Sequence, residues 1–302
     1  MQNSYSGPIF IIIAALLWAF DGIIRQHLYS LPPITIIFFE HLIGLIILSP
    51  FVFKYILQTR LTKREWWLTI IIAVLSGLLG TLWFTTALGK VHFITISVVF
   101  LLQKLQPIFA ITTARIFLNE KFDWRYIKWA LLAIISAYFV TFPNGKVFLE
   151  TGGGTAIAAL YALGAAFAWG TSTTFSKMLL GKVDFKVSTF YRFLFTLVVA
   201  LPFVFLYGDT ATGAFAVPSF TQFAWLALIA VSTGMVALLI YYKGLAKTPV
   251  HVSTILELTF PFVAILLDFF VNDTVLSATQ WIAALILVFS IYKISKLREN
   301  II

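Results

Sequence analysis

Ten stretches of about 20 mostly apolar residues, joined by short connections carrying Gly, Pro, Asn or charge, occupy nearly the whole chain. They span residues 8–29, 33–53, 66–88, 93–117, 124–142, 155–179, 187–207, 220–242, 249–271 and 278–295. A bilayer core about 30 Å thick is crossed by about 20 residues of helix, and within it every backbone N–H and C=O must be satisfied internally. Helices meet that demand over such lengths, whereas strands would need shorter alternating segments. The chain therefore reads as an all-α integral membrane protein with ten transmembrane helices. Its 302 residues are 61% hydrophobic and only 11% charged. A soluble domain averages about 45–50% apolar and about 25% charged, so the surplus must face lipid. There is no cysteine, which removes disulfides, iron–sulfur clusters and thiolate metal sites. His27, His41, His92 and His251 lack paired ligand spacing, so neither a metal nor a cofactor is expected. The first stretch has no Lys or Arg before it and reads as a retained helix, not a signal peptide.

The ten stretches form two sets of five. Ala15-Leu16-Leu17-Trp18-Ala19 is answered by Ala166-Phe167-Ala168-Trp169-Gly170, and Pro50-Phe51-Val52-Phe53 by Pro202-Phe203-Val204-Phe205. Gln106-Pro107-Ile108-Phe109 is answered by Phe260-Pro261-Phe262-Val263, and Phe117-Leu118-Asn119-Glu120 by Phe270-Val271-Asn272-Asp273. Trp129 corresponds to Trp281, and the order holds throughout. The units expected are a first five-helix repeat over residues 1–146 and a second over 147–302. An odd number of spans per unit turns the second copy over, giving inverted repeats. Such pairs place a site near the midplane between the repeats and rock about it for alternating access.

Charge placement supports this topology. With the N-terminus in the cytoplasm, fifteen of the 21 Lys and Arg fall on the cytoplasmic side and three (Arg25, Lys90, Lys146) on the outer side. Lys104, Arg115 and Arg192 lie within spans. That bias follows the positive-inside rule and expects both termini inside. The net charge of +9 thus reports orientation, and no nucleic-acid partner is expected.

These residues resemble the drug/metabolite transporter superfamily, EamA family. The marks are Trp18-Ala19 and Trp169-Gly170 in the first helix of each repeat, Pro107 and Pro261 in the fourth, and Asn119-Glu120 closing the first of those fourth helices. Two departures stand out. Asp273-Thr274 occupies the place where many relatives carry Glu-Arg, and His41 stands where the second copy has Arg192. The resemblance implies a multi-pass transporter of a bacterial inner membrane, not an enzyme. It leaves the cargo open among amino acids, drugs, sugars, nucleotide conjugates and quaternary amines.

Ionisable groups inside a membrane cost about 2.5–3.5 kcal/mol on insertion scales, so each needs a partner, a wet cavity or an escape to the interface. Lys104, beside Gln103, corresponds to Glu257; both lie about one turn before a proline, a position that frees a backbone carbonyl. They are expected either to bind the two charges of a substrate or to pair with each other. Asp21 shares a face with Trp18 and precedes Arg25 by one turn, so it is either a substrate or proton site or a partner of that arginine. Glu40-His41 and Tyr191-Arg192 lie at mirrored depths near opposite mouths, as gates would. Trp18 and Trp169, with Trp83, Tyr241 and Tyr242, are candidates for an aromatic cage, although plain helix packing would place them similarly. Gly77, Gly80, Gly164 and Gly170 suit close helix approach. Pro107 and Pro261 are the helix-breaking positions.

The expected function is secondary transport of a small polar metabolite, zwitterionic or ring-bearing: an amino acid, a derivative, or a nucleoside-bearing compound. The alternative is an exporter of quaternary amines or lipophilic cationic drugs. The partners are the substrate and the lipid bilayer, with protons as a candidate coupling ion and a monomer or homodimer as the assembly. No Gly-x-x-x-x-Gly-Lys-Ser/Thr run exists for ATP.

Overall fold

The computed structural model describes residues 6–89, 102–103, 105–146, 155–207, 216–260, 262–263, 266–267 and 276–297. Among these, all regular structure is helical. The first repeat contributes α1 (Ser6–Ala19), α2 (Asp21–Arg25), α3 (Pro33–Gln58), α4 (Lys63–Ile72), a π-helical stretch Ala73–Gly80, α5 (Thr81–Gly89), α6 (Gln106–Phe117) and α7 (Trp124–Thr141). The second contributes α8 (Thr155–Leu180), α9 (Phe185–Tyr207), α10 (Phe220–Val231), α11 (Met235–Leu245), α12 (Val250–Leu256) and α13 (Ala278–Leu297). Six stretches of the described residues are long and apolar enough to cross a membrane by themselves: Ser6–Arg25, Pro33–Gln58, Lys63–Ala87, Phe185–Leu206, Phe220–Leu245 and Ala278–Leu297. α6, α7, α8 and α12 fall in the fourth, fifth, sixth and ninth expected spans, which accounts for all ten.

Helix ends follow local chemistry. Thr62 and Glu65 form a capping box at the start of α4, and Ser219 and Gln222 do the same for α10. Asp123 caps α7 by accepting from the Tyr126 N–H at 2.6 Å. Asn119 leaves α6 with a left-handed φ of 54°, a conformation asparagine tolerates better than most residues.

Three interruptions depart from the straight spans read from hydropathy. The first span breaks at Phe20 between α1 and α2. The third loosens into the π-helix, which contains Gly77 and Gly80. The eighth breaks at Ser232-Thr233-Gly234, three poor helix formers.

Helix neighbours follow a symmetric rule. α1 packs on α11, so the first helix of one repeat meets the third of the other; reciprocally, α8 packs on the π-helix and α5. α3 packs on α9, α6 on α12, and α7 on α13, pairing the second, fourth and fifth helices. This is the contact pattern of two copies related by a two-fold axis in the membrane plane. Buried apolar residues form a large cluster reaching from Ile11 to Ile294 and a smaller one around Leu28, Ile36, Phe39 and Ile229. Phe51, Leu57, Leu160, Phe220 and Leu285 project from the bundle as lipid-facing side chains should.

Candidate functional site

Where the two repeats face each other, the helices bring together four of their polar and aromatic side chains. Gln106, at the start of α6, donates its Nε2 hydrogen to Glu257 Oε2 at 3.1 Å. Tyr241 of α11 donates its hydroxyl to Glu257 Oε1 at 2.6 Å. The ring of Trp18 in α1 lies 5.1 Å from that of Tyr241, tilted by 53°. Trp18, Gln106 and Glu257 are each half-buried, while Tyr241 is buried. A carboxylate in a membrane is thus held by two neutral donors beside two aromatic faces. Gln103 lies one turn before Gln106, and its Oε1 is buried without a hydrogen-bond partner.

α8 forms one wall. Its Gly170 lets the backbone approach α6 so closely that a Cβ there would lie 2.7 Å from the Gln106 carbonyl oxygen. The next two residues, Thr171 and Ser172, are buried with unpartnered hydroxyls. Thr174 shares a hydrogen bond with Thr113 at 2.8 Å. Further along α8, Ser176 is 3.0 Å from the Tyr242 hydroxyl, which also accepts from Arg192 Nη1 at 3.2 Å.

Two further groups sit at opposite ends of the bundle. At one end Arg25 grips two carboxylates. Its Nε donates to Asp21 at 2.7 Å, and its two terminal nitrogens reach Glu40 at 3.1 Å. Thr233, buried at the break before α11, donates to Asp21 at 2.7 Å and so ties the second repeat to this network. The sequence placed Arg25 among the outer cations, but the structure buries it, because two carboxylates hold it there. At the other end Glu120 accepts from the backbone N–H groups of Val250 (2.8 Å) and His251 (3.1 Å), capping α12, and also meets the His251 ring. The Tyr126 hydroxyl donates to the His251 carbonyl at 2.7 Å. Burial pushes the Glu120 carboxyl up, yet the His251 ring and the two backbone donors outweigh it and leave Glu120 below the usual carboxylate range.

The remaining candidate residues are placed as follows. His41 is buried, with Nδ1 2.8 Å from the Ile37 carbonyl and its ring 4.7 Å from Phe193. Tyr191 packs its ring 5.0 Å from Trp66. Trp169 donates Nε1 to the Ser76 carbonyl of the π-helix at 3.2 Å and fills the space above Gly80. Trp83 fills the corresponding space above Gly164. Those two tryptophans make the contacts of packing residues, while Trp18 stands in the polar cluster. Pro107 is buried in the first turn of α6. Lys104 and Pro261 lie outside the described residues. Sequence reading did not single out Gln106 or Thr233. Gln106 could have been found as the polar residue directly before Pro107; Thr233 carried no signal beyond its helix-breaking neighbours.

An apolar groove lies elsewhere among the described residues. It is an open groove of about 540 Å³ between Phe262 and the Trp281, Leu285 and Phe289 side of α13, and is almost wholly apolar. Such a groove suits acyl chains; the polar cluster is the better place for a polar cargo.

Comparisons with known proteins identify the family and the fold. The EamA-like transporter family matches the chain twice, over residues 5–142 and 156–296. The riboflavin transporter ImpX of Fusobacterium nucleatum subsp. nucleatum is 36% identical over 300 residues, covering 98% of this chain and 100% of that protein. A solved crystal structure that is 15% identical covers 98% of both chains with a TM-score of 0.78, a likeness of fold alone.

Proposed function

Since the chain belongs to the EamA-like transporter family, we propose that it carries a ring-bearing polar metabolite of the riboflavin kind by alternating access. The observation that supports this best is the Trp18, Tyr241, Glu257 and Gln106 cluster between the repeats. Riboflavin joins a flat tricyclic ring to a chain of hydroxyls. The rings of Trp18 and Tyr241 offer the ring system faces to pack on. Glu257 can accept from the imide N–H on the edge of that ring. Gln103, Thr171 and Ser172 have unspent hydrogen-bonding capacity for the hydroxylated chain. A site built to hydrogen-bond a substrate discriminates strongly against analogues that leave those groups unpaired.

In this reading residues 1–146 and 147–302 rock against each other in a bacterial inner membrane, with both termini cytoplasmic. Glu40, held by Arg25, sits near one mouth, whereas Arg192, bonded to Tyr242, lies next to the central cluster, with its neighbour Phe193 against the His41 ring. A zwitterionic amino acid would need Lys104 as its carboxylate partner, and the described geometry supports the ring better. A second reading, export of quaternary amines or lipophilic cations, draws support from Glu257. Its hydrogen-bond partners are neutral and it sits beside aromatic rings, which suits a cationic cargo.

Uptake of labelled riboflavin into proteoliposomes separates these readings. Riboflavin is expected to be carried, with Glu257→Gln lowering the rate at least about tenfold, the loss of one charged hydrogen bond, and Trp18→Ala lowering it about twofold to tenfold, the loss of one aromatic contact. Uptake of labelled choline-like amines with none of riboflavin would establish the cation reading. Uptake of labelled amino acids alone would restore the zwitterion.

A further inference from the structure

Arg192 is a membrane cation that forms no contact ion pair among the described residues. It lies seven residues into α9, about 10 Å along the helix from Phe185. Of its donors, Nη1 reaches the Tyr242 hydroxyl, and the guanidinium carbon sits 5.8 Å from that ring. Nε is fully enclosed and has no hydrogen-bond partner. The described carboxylates within the spans are already committed. Asp21 and Glu40 share Arg25, and Glu257 takes Tyr241 and Gln106. A charge inside a membrane is costly without a partner, so the fold retains here a half-buried arginine that its own acids do not pair.

Its position relative to the aromatic cluster is fixed by the chain. Tyr242 holds Arg192, and the preceding residue, Tyr241, holds Glu257 and faces Trp18. The two tyrosine rings are 6.2 Å apart. Ser176, also bonded to Tyr242, stands on the same helix α8 as the unpartnered Thr171 and Ser172. A ring lying against Trp18 and Tyr241 would therefore have its tail within reach of the terminal nitrogens of a half-buried guanidinium. That planar fork matches the two oxygens of a phosphate or carboxylate.

We propose that Arg192 is an anion-binding position adjoining the aromatic cluster, so that the cargo class includes ring compounds whose hydroxylated tail ends in an acidic group, a phosphomonoester above all. The proposal rests on the ring-bearing reading above and adds a specificity-determining residue to it.

The test measures binding to the full-length protein in detergent by quenching of flavin fluorescence, with riboflavin and riboflavin 5′-phosphate as the probes. The quantity read is the ratio of the two dissociation constants in each variant. The wild type is expected to bind the 5′-phosphate at least as tightly as riboflavin. Arg192→Gln should shift the ratio against the phosphate by about tenfold to a hundredfold, the worth of a charged hydrogen-bond pair. Arg192→Lys, which keeps the charge and loses the fork, should shift it by less and decides the matter if the glutamine variant does not fold. An unchanged ratio in both variants overturns the anion site, as does a wild type that binds riboflavin and rejects its 5′-phosphate. A wild type that binds neither flavin overturns the ring-bearing reading instead, and this inference with it.

Discussion

Arg25 shows how one side chain can decide the state of several others. It is buried and bound to Asp21 and Glu40, so removing it leaves two carboxylates facing each other without a cation. Breaking a buried pair from one side costs about 3–5 kcal/mol, because the survivor keeps its desolvation penalty. Arg25→Gln should therefore lower thermal stability in detergent more than Asp21→Asn does, and Glu40→Gln added to Arg25→Gln should recover part of the loss. Simple additivity of the two substitutions would show that they do not share a network. Glu120 predicts a pH effect at the other end. Its carboxyl lies below the usual range in the folded protein, so it contributes stability above the unfolded carboxylate value, and that contribution is lost as pH falls through the folded one. Melting curves taken as pH falls below the usual carboxylate value should show a loss of stability that Glu120→Gln lacks, since glutamine does not titrate there. The Asp21–Arg25 contact was legible as an i, i+4 pair; Glu40 was not, because a tight turn stands between it and Arg25. Gln106 and Glu257 are brought together only by the meeting of α6 and α12 from opposite repeats, which no local pattern encodes.

At the scale of elements, glycines set how closely the helices approach. Gly170 faces the α6 backbone, where an added Cβ would meet the Gln106 carbonyl oxygen at 2.7 Å and Phe109 Cβ at 2.9 Å. Gly244 faces α1 in the same manner, 2.8 Å from the Gly7 carbonyl oxygen. Backbone cannot swing aside as a flexible side chain can, so Gly170→Ala should force α8 away from α6, costing about 1–3 kcal/mol and disturbing Gln106. Gly22→Ala is the internal control. Nothing lies within 4 Å of its added Cβ, and alanine favours the helix, so stability should hold or rise by about 0.4–1 kcal/mol. Equal losses at both positions would mean that helix approach is not the deciding factor. Hydropathy found the spans to within a few residues, as α3 and α8 illustrate. It missed the breaks at Phe20 and at Ser232–Gly234 and the π-helix, because apolar composition does not register a shift in the hydrogen-bond ladder. Those breaks matter, for they free Thr233 for Asp21 and the Ser76 carbonyl for Trp169.

For the whole molecule, the pairing of helices across the repeats makes a mechanical prediction. The Asp21, Arg25, Glu40 and Thr233 network joins the repeats at one end, and Glu120 with His251 joins them at the other. Between these ends lies the Trp18, Tyr241 and Glu257 cluster, which the proposed mechanism makes the fulcrum of the rocking. A rigid rocking motion cannot close both ends at once beyond the occluded state, so distances at the two ends must change in opposite directions. The chain contains no cysteine, which allows introduced pairs to be spin-labelled without background. Lys121 and Lys247 are exposed positions in different repeats near the Glu120 clamp, and Tyr29 and Phe220 are their counterparts near Arg25. Cysteines placed at each pair should report reciprocal shifts of several ångströms when riboflavin saturates the protein, one distribution shortening as the other lengthens. A ligand shifts an equilibrium only by its differential affinity for the two states, so the shift should vanish in Glu257→Gln if that carboxylate senses the cargo. Movement of both pairs in the same direction would describe a breathing of the whole bundle, and alternating access about a fixed central site would have to be abandoned.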